Sequence, residues 1–137
     1  MPSSNALPGW RSYCPVARTL DLVGDKWTLV VVRDLLLGMT RYDQFLDRPE
    51  RIATNELAAR LKKLEGMGDD TRHRYGEHAR RFEYRLTSRG EELRPLVQSI
   101  VDWGLGHIPG SETHLWPRSE SSLRDKSLSS KERKGKS

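Results

Sequence analysis

Cysteine is nearly absent from this sequence. A single thiol, Cys14, excludes an internal disulfide framework and any zinc site built from several cysteines. A disulfide here can only join two chains. Long hydrophobic runs are missing too: nothing approaches the ~20 apolar residues that span a bilayer. The opening Met1-Pro-Ser-Ser-Asn-Ala-Leu-Pro-Gly carries neither the basic nor the apolar stretch of a signal peptide. The expectation is a cytoplasmic, nucleoid-associated protein with no membrane partner. Histidine is scarce, and His73, His78, His107 and His114 are scattered without metal-ligand spacing. No nucleophile stands at a recognisable spacing from a base, so the reading is of a protein that is not an enzyme and has no cofactor and no metal. Acidic residues fall short as well: 19 Asp and Glu stand against 24 Lys and Arg, a net charge of +5. That excess favours a polyanionic partner without identifying one.

What is present fits one domain with two tails in 137 residues, its core modest at 35% hydrophobic. Residues 1–10, with Pro2, Pro8 and Gly9, read as a flexible arm. From about Ser111 to residue 137 the chain turns Ser/Lys/Arg-rich, with too few large apolar groups to offset the entropy of ordering it. This predicts a disordered basic tail and leaves residues 11–110 as the domain.

Within that domain the periodicity is mostly helical. Pro15 suits the first position of a helix, which makes Cys14 its N-cap, and Val16, Leu20 and Val23 follow on one face. Asp25 is placed to cap a second helix, Lys26–Leu37, apolar nearly all round, with Gly38 as its terminator. Thr40 is placed to cap a short third helix, Arg41–Leu46, directing Tyr42, Phe45 and Leu46 inward. A fourth helix, Thr54–Glu65, is predicted to start on Thr54 as N-cap. Leu57, Leu61 and Leu64 stripe one face of it; Asn55, Ala59, Lys62 and Lys63 mark the other. A helix that reads a DNA groove needs this asymmetry, seating on the core while offering short side chains early and cations later. A solvated surface helix has the same pattern.

Residues 71–86 change period. Phe82, Tyr84 and Leu86 alternate with Arg81, Glu83 and Arg85 after a glycine-containing turn, predicting a hairpin. Arg72, Arg74, Arg80 and Arg81 make it cationic, with His73 and His78 beside them. Ser88 and Glu91 have capping-box spacing and open a long helix running through Leu93, Val97, Ile100, Trp103 and Leu105, where Pro95 can introduce a kink. The fold class that follows is mainly α with a small β-hairpin (α+β), a winged helix-turn-helix with flanking dimerisation helices.

Several separated stretches, in order, closely resemble the HxlR-type winged helix-turn-helix regulators. They are Cys14-Pro-Val-Ala-Arg-Thr-Leu-Asp-Leu-Val-Gly-Asp-Lys-Trp-Thr-Leu, Arg33-Asp-Leu-Leu-Leu-Gly, Arg41-Tyr-Asp-Gln-Phe, Ile52-Ala-Thr-Asn-Glu-Leu-Ala-Ala-Arg-Leu-Lys-Lys-Leu-Glu and Arg81-Phe-Glu-Tyr-Arg-Leu-Thr-Ser-Arg-Gly. The resemblance runs over roughly residues 11–108. It implies a homodimer, joined through its first and last helices, that binds pseudo-palindromic double-stranded DNA as a transcriptional regulator. It places the first helix of the helix-turn-helix at Thr40–Phe45, the recognition helix at Thr54–Lys63 and the wing at Arg72–Arg81. One departure stands out: Gly68-Asp69-Asp70 occupies the place of Gly-Leu-Val or Gly-Ile-Ile, and Arg74 that of an apolar residue or proline. Adjacent aspartates are poor strand formers. They predict a strand that starts late, or a mobile wing, with the two acids near DNA phosphates.

On this reading Thr54 and Asn55 meet base edges, since Asn pairs bidentately with adenine. Arg41, Lys62, Lys63, Arg72 and Arg81 meet phosphates, with Thr40, Ala59, Arg74 and Arg80 along the same surface. Cys14, at the positive end of a helix and near Arg11 and Arg18, has a position that favours thiolate and hence attack on an oxidant or electrophile. Some HxlR-type regulators use a cysteine there as a thiol switch. The plainer alternative is a cysteine packed against the dimer partner, with Asp21 and Asp25 offsetting the arginines. A winged-helix module that binds protein instead of DNA is the rival to the whole assignment.

Overall fold

The computed structural model describes residues 9–74, 81–113 and 116. The elements run α1 (Pro15–Val23), α2 (Thr28–Leu36), α3 (Tyr42–Leu46), α4 (Thr54–Gly66), β1 (Asp70–Arg74), β2 (Phe82–Leu86), α5 (Ser88–Glu91) and α6 (Arg94–His107). They divide into two compact units, meeting in sequence at Glu91 and Glu92. The flexible-arm assignment for residues 1–10 lies outside the described residues except at 9 and 10. So does most of the tail assignment, 111–137. Trp116, within that tail, is buried and its indole N–H donates to Gln98 Oε1 at 2.8 Å.

The first unit is built around α2, whose Val31, Val32, Leu35 and Leu36 are all buried, as its apolar circumference requires. Asp25 does cap this segment: its Oδ2 accepts the Trp27 and Thr28 N–H groups, both at 3.1 Å. The helix proper nonetheless starts at Thr28, two residues later than the predicted Lys26. Gly38 ends it at φ 96°, in the left-handed region. The Leu57, Leu61 and Leu64 stripe of α4 is fully buried, and Phe45 of α3 joins that core. β1 and β2 pair antiparallel, from Asp70 opposite Leu86 to Arg74 opposite Phe82. The Tyr84 N–H donates to the Thr40 carbonyl at 2.8 Å, which ties the hairpin to the turn before α3.

Several caps differ from the predicted ones. Helix α4 starts at Thr54 as predicted, but the Leu57 N–H donates to Ala53 O at 2.9 Å, so Ala53 is the N-cap and Thr54 the first helical residue. At α3 the cap is Gln44 reaching back, its Oε1 accepting from the Thr40 and Arg41 N–H groups at 2.8 and 3.1 Å. The Thr40 hydroxyl is not the cap, because the helix starts at Tyr42, one residue later than predicted, and Arg41 takes the N-cap position. At α5, Thr87 replaces Ser88, its Oγ1 accepting from the Gly90 N–H at 3.1 Å. The predicted long C-terminal helix is two helices. Pro95 lies in the first turn of α6, where its missing N–H costs nothing, and the chain breaks just before it at residues 92–93.

The aspartate pair is the largest surprise. β1 starts at Asp70, without the predicted delay, and both acids are buried, Asp69 at 4% and Asp70 at 2% exposure. Burial places them under the wing root and away from any surface DNA could reach. The Arg89 guanidinium from α5 meets Asp69 at 3.0 Å. Asp69 also donates its N–H to Leu64 O at the end of α4, and its carbonyl accepts from Thr87.

Candidate nucleic-acid interface

The helix-turn-helix pair is α3 and α4, joined by a turn held by ions. Arg33 grips Glu50 with two bonds of 2.9 Å, and buried Asp34 takes Arg33 and Arg48 at 2.9 and 3.2 Å. This network fixes how α4 leaves the turn. Burial raises the Asp34 carboxyl even against its two arginines.

On α4 the leucine stripe turns inward, so Thr54, Asn55, Ala59 and Lys62 are all exposed. Lys63 is half-buried and bonded to Asp25 at 3.3 Å. Arg60, one turn away, joins the same carboxylate at 3.1 Å and Glu56 at 3.0 Å. Burial pushes the Asp25 carboxyl up, but bonds from the Thr28 hydroxyl, the Trp27 and Thr28 N–H groups and Lys63 hold it well below the usual carboxylate range. Asp25 thus couples the start of α2 to the middle of α4, a link the sequence reading did not contain. Only its capping spacing was visible.

The hairpin and α3 meet in a cleft of about 670 Å³ lined by Arg41, Tyr42, Asp43, Arg72, Arg81, Phe82 and Tyr84. Three of the predicted phosphate-binding arginines, from separate places in the chain, share its walls. Arg72 lies over the Phe82 ring at 4.5 Å and Arg74 at 6.0 Å, and Arg72 also meets Glu65 of α4 at 3.7 Å. Tyr42 and Tyr84 stack at a tilt, centroids 5.7 Å apart, and form its floor. Burial and the neighbouring Tyr42 push the Tyr84 hydroxyl up to about 12. Thr40 is half-buried at the edge. Arg80 and His78 lie outside the described residues.

Cys14 is exposed at the start of α1. The N–H groups of Ala17 and Val16 lower its thiol, as expected at the positive end of a helix. The expected help from arginines does not materialise. Arg11 is held by Asp21 at 2.6 Å, and Arg18 donates to Ser12 O at 2.8 Å while lying over the Trp10 and Tyr13 rings. Salt bridges and ring stacking have claimed both guanidinium groups.

The sequence pattern describing HxlR-like helix-turn-helix proteins matches residues 22–112. An uncharacterized HTH-type transcriptional regulator of Synechocystis sp. is 37% identical over 106 residues, covering 76% of this chain and 78% of that protein. Another, from Mycobacterium tuberculosis, is 36% identical over 97 residues, 71% of this chain but 61% of the relative. Among solved structures, the redox regulator HypR in its oxidized form superposes with a TM-score of 0.62 at 32% identity, covering 69% of this chain and 97% of HypR. Helices α2 to α4 followed by an antiparallel hairpin are the element order of a winged helix-turn-helix. The chain belongs to the HxlR-like helix-turn-helix family of transcriptional regulators.

Proposed function

We propose that this protein is a homodimeric, sequence-specific DNA-binding regulator acting on a pseudo-palindromic operator, with Cys14 as a thiol that responds to oxidants. The observation that carries the DNA reading is the shared cleft. Arg41 before α3 and Arg72 and Arg81 on the hairpin converge there, and α4 packs against both α3 and β1. A phosphate seat beside a helix whose Thr54, Asn55 and Ala59 are exposed fits major-groove docking. In this reading Lys62 follows the backbone further along, Asn55 reads a base, and Lys63 helps hold α4 through Asp25.

The dimer is supported by apolar side chains left in water. On and before α1 these are Tyr13, Val16 and Leu20; on and after α6 they are Ile100, Trp103, Leu105 and Ile108, each at least 39% exposed. Faces of this kind mark interfaces, and a two-fold dimer matches two half-sites about one DNA turn apart. The thiol reading is supported by the exposure of Cys14, its lowered titration and the kinship with a redox regulator. In such a switch two Cys14 thiols, one per protomer, give two protons and two electrons to the oxidant and form one disulfide.

Gel retardation on duplexes tiling the DNA upstream of its own and neighbouring genes tests the reading. Binding should weaken steeply with salt, and Arg72→Ala should flatten the log–log salt slope by about one unit. A protein that retards no duplex at low salt would belong with the protein-binding winged helices instead.

A further inference from the structure

Asp70 has no work in the DNA-binding surface, yet its placement is costly. It is 2% exposed, and among the described residues neither carboxylate oxygen has a hydrogen-bond partner. A buried charge without a partner is strongly unfavourable, and such a group lowers the penalty by holding its proton. The position is equally specific. Asp70 is the first residue of β1, opposite Leu86 of β2, and α4 ends four residues earlier at Gly66. It is therefore the joint between the recognition helix and the wing.

The charged and titratable neighbours reinforce this. Glu65 of α4 and Asp69 beside it both push the carboxyl up, adding to burial, and it stands at about 7. The cations of the surrounding elements are directed to those two acids: Arg89 of α5 to Asp69 at 3.0 Å, and Arg72 of β1 to Glu65 at 3.7 Å. Tyr84 of β2 is buried and neutral at physiological pH. No compensating positive charge reaches Asp70 among these groups.

We propose that Asp70 is a proton-operated latch at the wing root: protonated, it keeps β1 docked between α4 and β2, and ionised, it releases the root and weakens the wing's hold on DNA. The link to DNA rests on the proposed function; the latch itself does not. A carboxyl titrating near 7 in the docked root and near about 4 in a released one makes the docking equilibrium fall about tenfold between about pH 6 and pH 8. The regulator would then bind operator more tightly as its surroundings acidify.

The first test needs no DNA. In the intact protein the Asp70 side-chain carbon resonance should titrate near neutrality. Amide exchange across 71–74 and 82–86, corrected for its intrinsic pH dependence, should rise about tenfold over the same range. Asp70→Asn, which cannot ionise, should show no such rise. An Asp70 midpoint in the ordinary carboxylate range, or an equal rise in Asp70→Asn, overturns the latch. If Asp70→Asn fails to fold, the wild-type titration alone decides. The second test measures anisotropy of labelled upstream duplexes. Wild-type affinity should fall up to about tenfold more than that of Asp70→Asn between about pH 6 and pH 8, since every other pH effect is common to both proteins. Equal falls would overturn the latch's hold on DNA. No duplex binding at any pH would overturn the DNA reading and leave the latch to the exchange data.

Discussion

Replacing Gly90 by alanine perturbs the wing root at its tightest point. A Cβ at this position would stand 2.1 Å from the carbonyl oxygen of Asp69 and 2.8 Å from Leu86 Cδ2. The leucine methyl can move, but the carbonyl is backbone and is fixed by the Thr87 N–H at 2.9 Å, with Thr87 Oγ1 holding Gly68 O at 2.7 Å beside it. Helix α5 must therefore back away by about an ångström. Overpacking of this kind costs about 1–3 kcal/mol, and losing the Thr87–Asp69 bond adds about 1 kcal/mol. The better helix propensity of alanine returns about 0.5–1 kcal/mol. The net loss is about 1–3.5 kcal/mol, which lowers the melting temperature on the order of 10 °C for a domain of this size. Gly66, the last residue of α4, supplies the control, because its added Cβ meets nothing within 4 Å. Gly66→Ala should stabilise by about 0.5–1 kcal/mol. Urea unfolding followed by far-ultraviolet circular dichroism measures both. If Gly90→Ala unfolds at the wild-type midpoint, or both variants shift the same way, helix α5 does not pack on the Asp69 carbonyl.

Two further outcomes test the interfaces of α2 and α6. Asp25→Ala should destabilise by about 1–2 kcal/mol through loss of the cap. Because the folded protein holds this carboxyl well below its unfolded value, its contribution is full above about pH 4 and is lost as pH falls further. The difference between wild type and Asp25→Ala in urea midpoint should accordingly shrink on acidification, and a constant difference would refute the assignment. Trp103 is 60% exposed on α6; if α6 contributes to the dimer interface, Trp103→Ala should shift the mass measured by light scattering toward the monomer at micromolar protein. An unchanged dimer would remove Trp103 from the interface.

The parts of the fold legible in the sequence were those governed by period. The Leu57, Leu61 and Leu64 stripe, the apolar α2 and the alternation of Phe82, Tyr84 and Leu86 each have one low-energy way to bury their large side chains. Cap identities were less legible. Thr40, Thr54 and Ser88 all have capping side chains, but Gln44, the Ala53 backbone and Thr87 take those roles, each a single residue or a single turn away. The charge of the candidate interface was also visible in advance, though not that Arg41, Arg72 and Arg81 would line one cleft while Lys63 turns to Asp25.

Hydrophobic period and local charge settled the first four helices and the cationic hairpin, because both are properties of neighbouring residues, and the resemblance of several ordered stretches supplied the family. Tertiary structure decided the fate of Asp69 and Asp70. Beside each other in sequence they read as two solvent-seeking acids that spoil a strand. In space Asp69 meets Arg89, twenty residues on, and Asp70 is buried with neither oxygen hydrogen-bonded among the described residues. Burial depends on which distant segments close over a side chain, and the spacing of nearby residues does not contain that information.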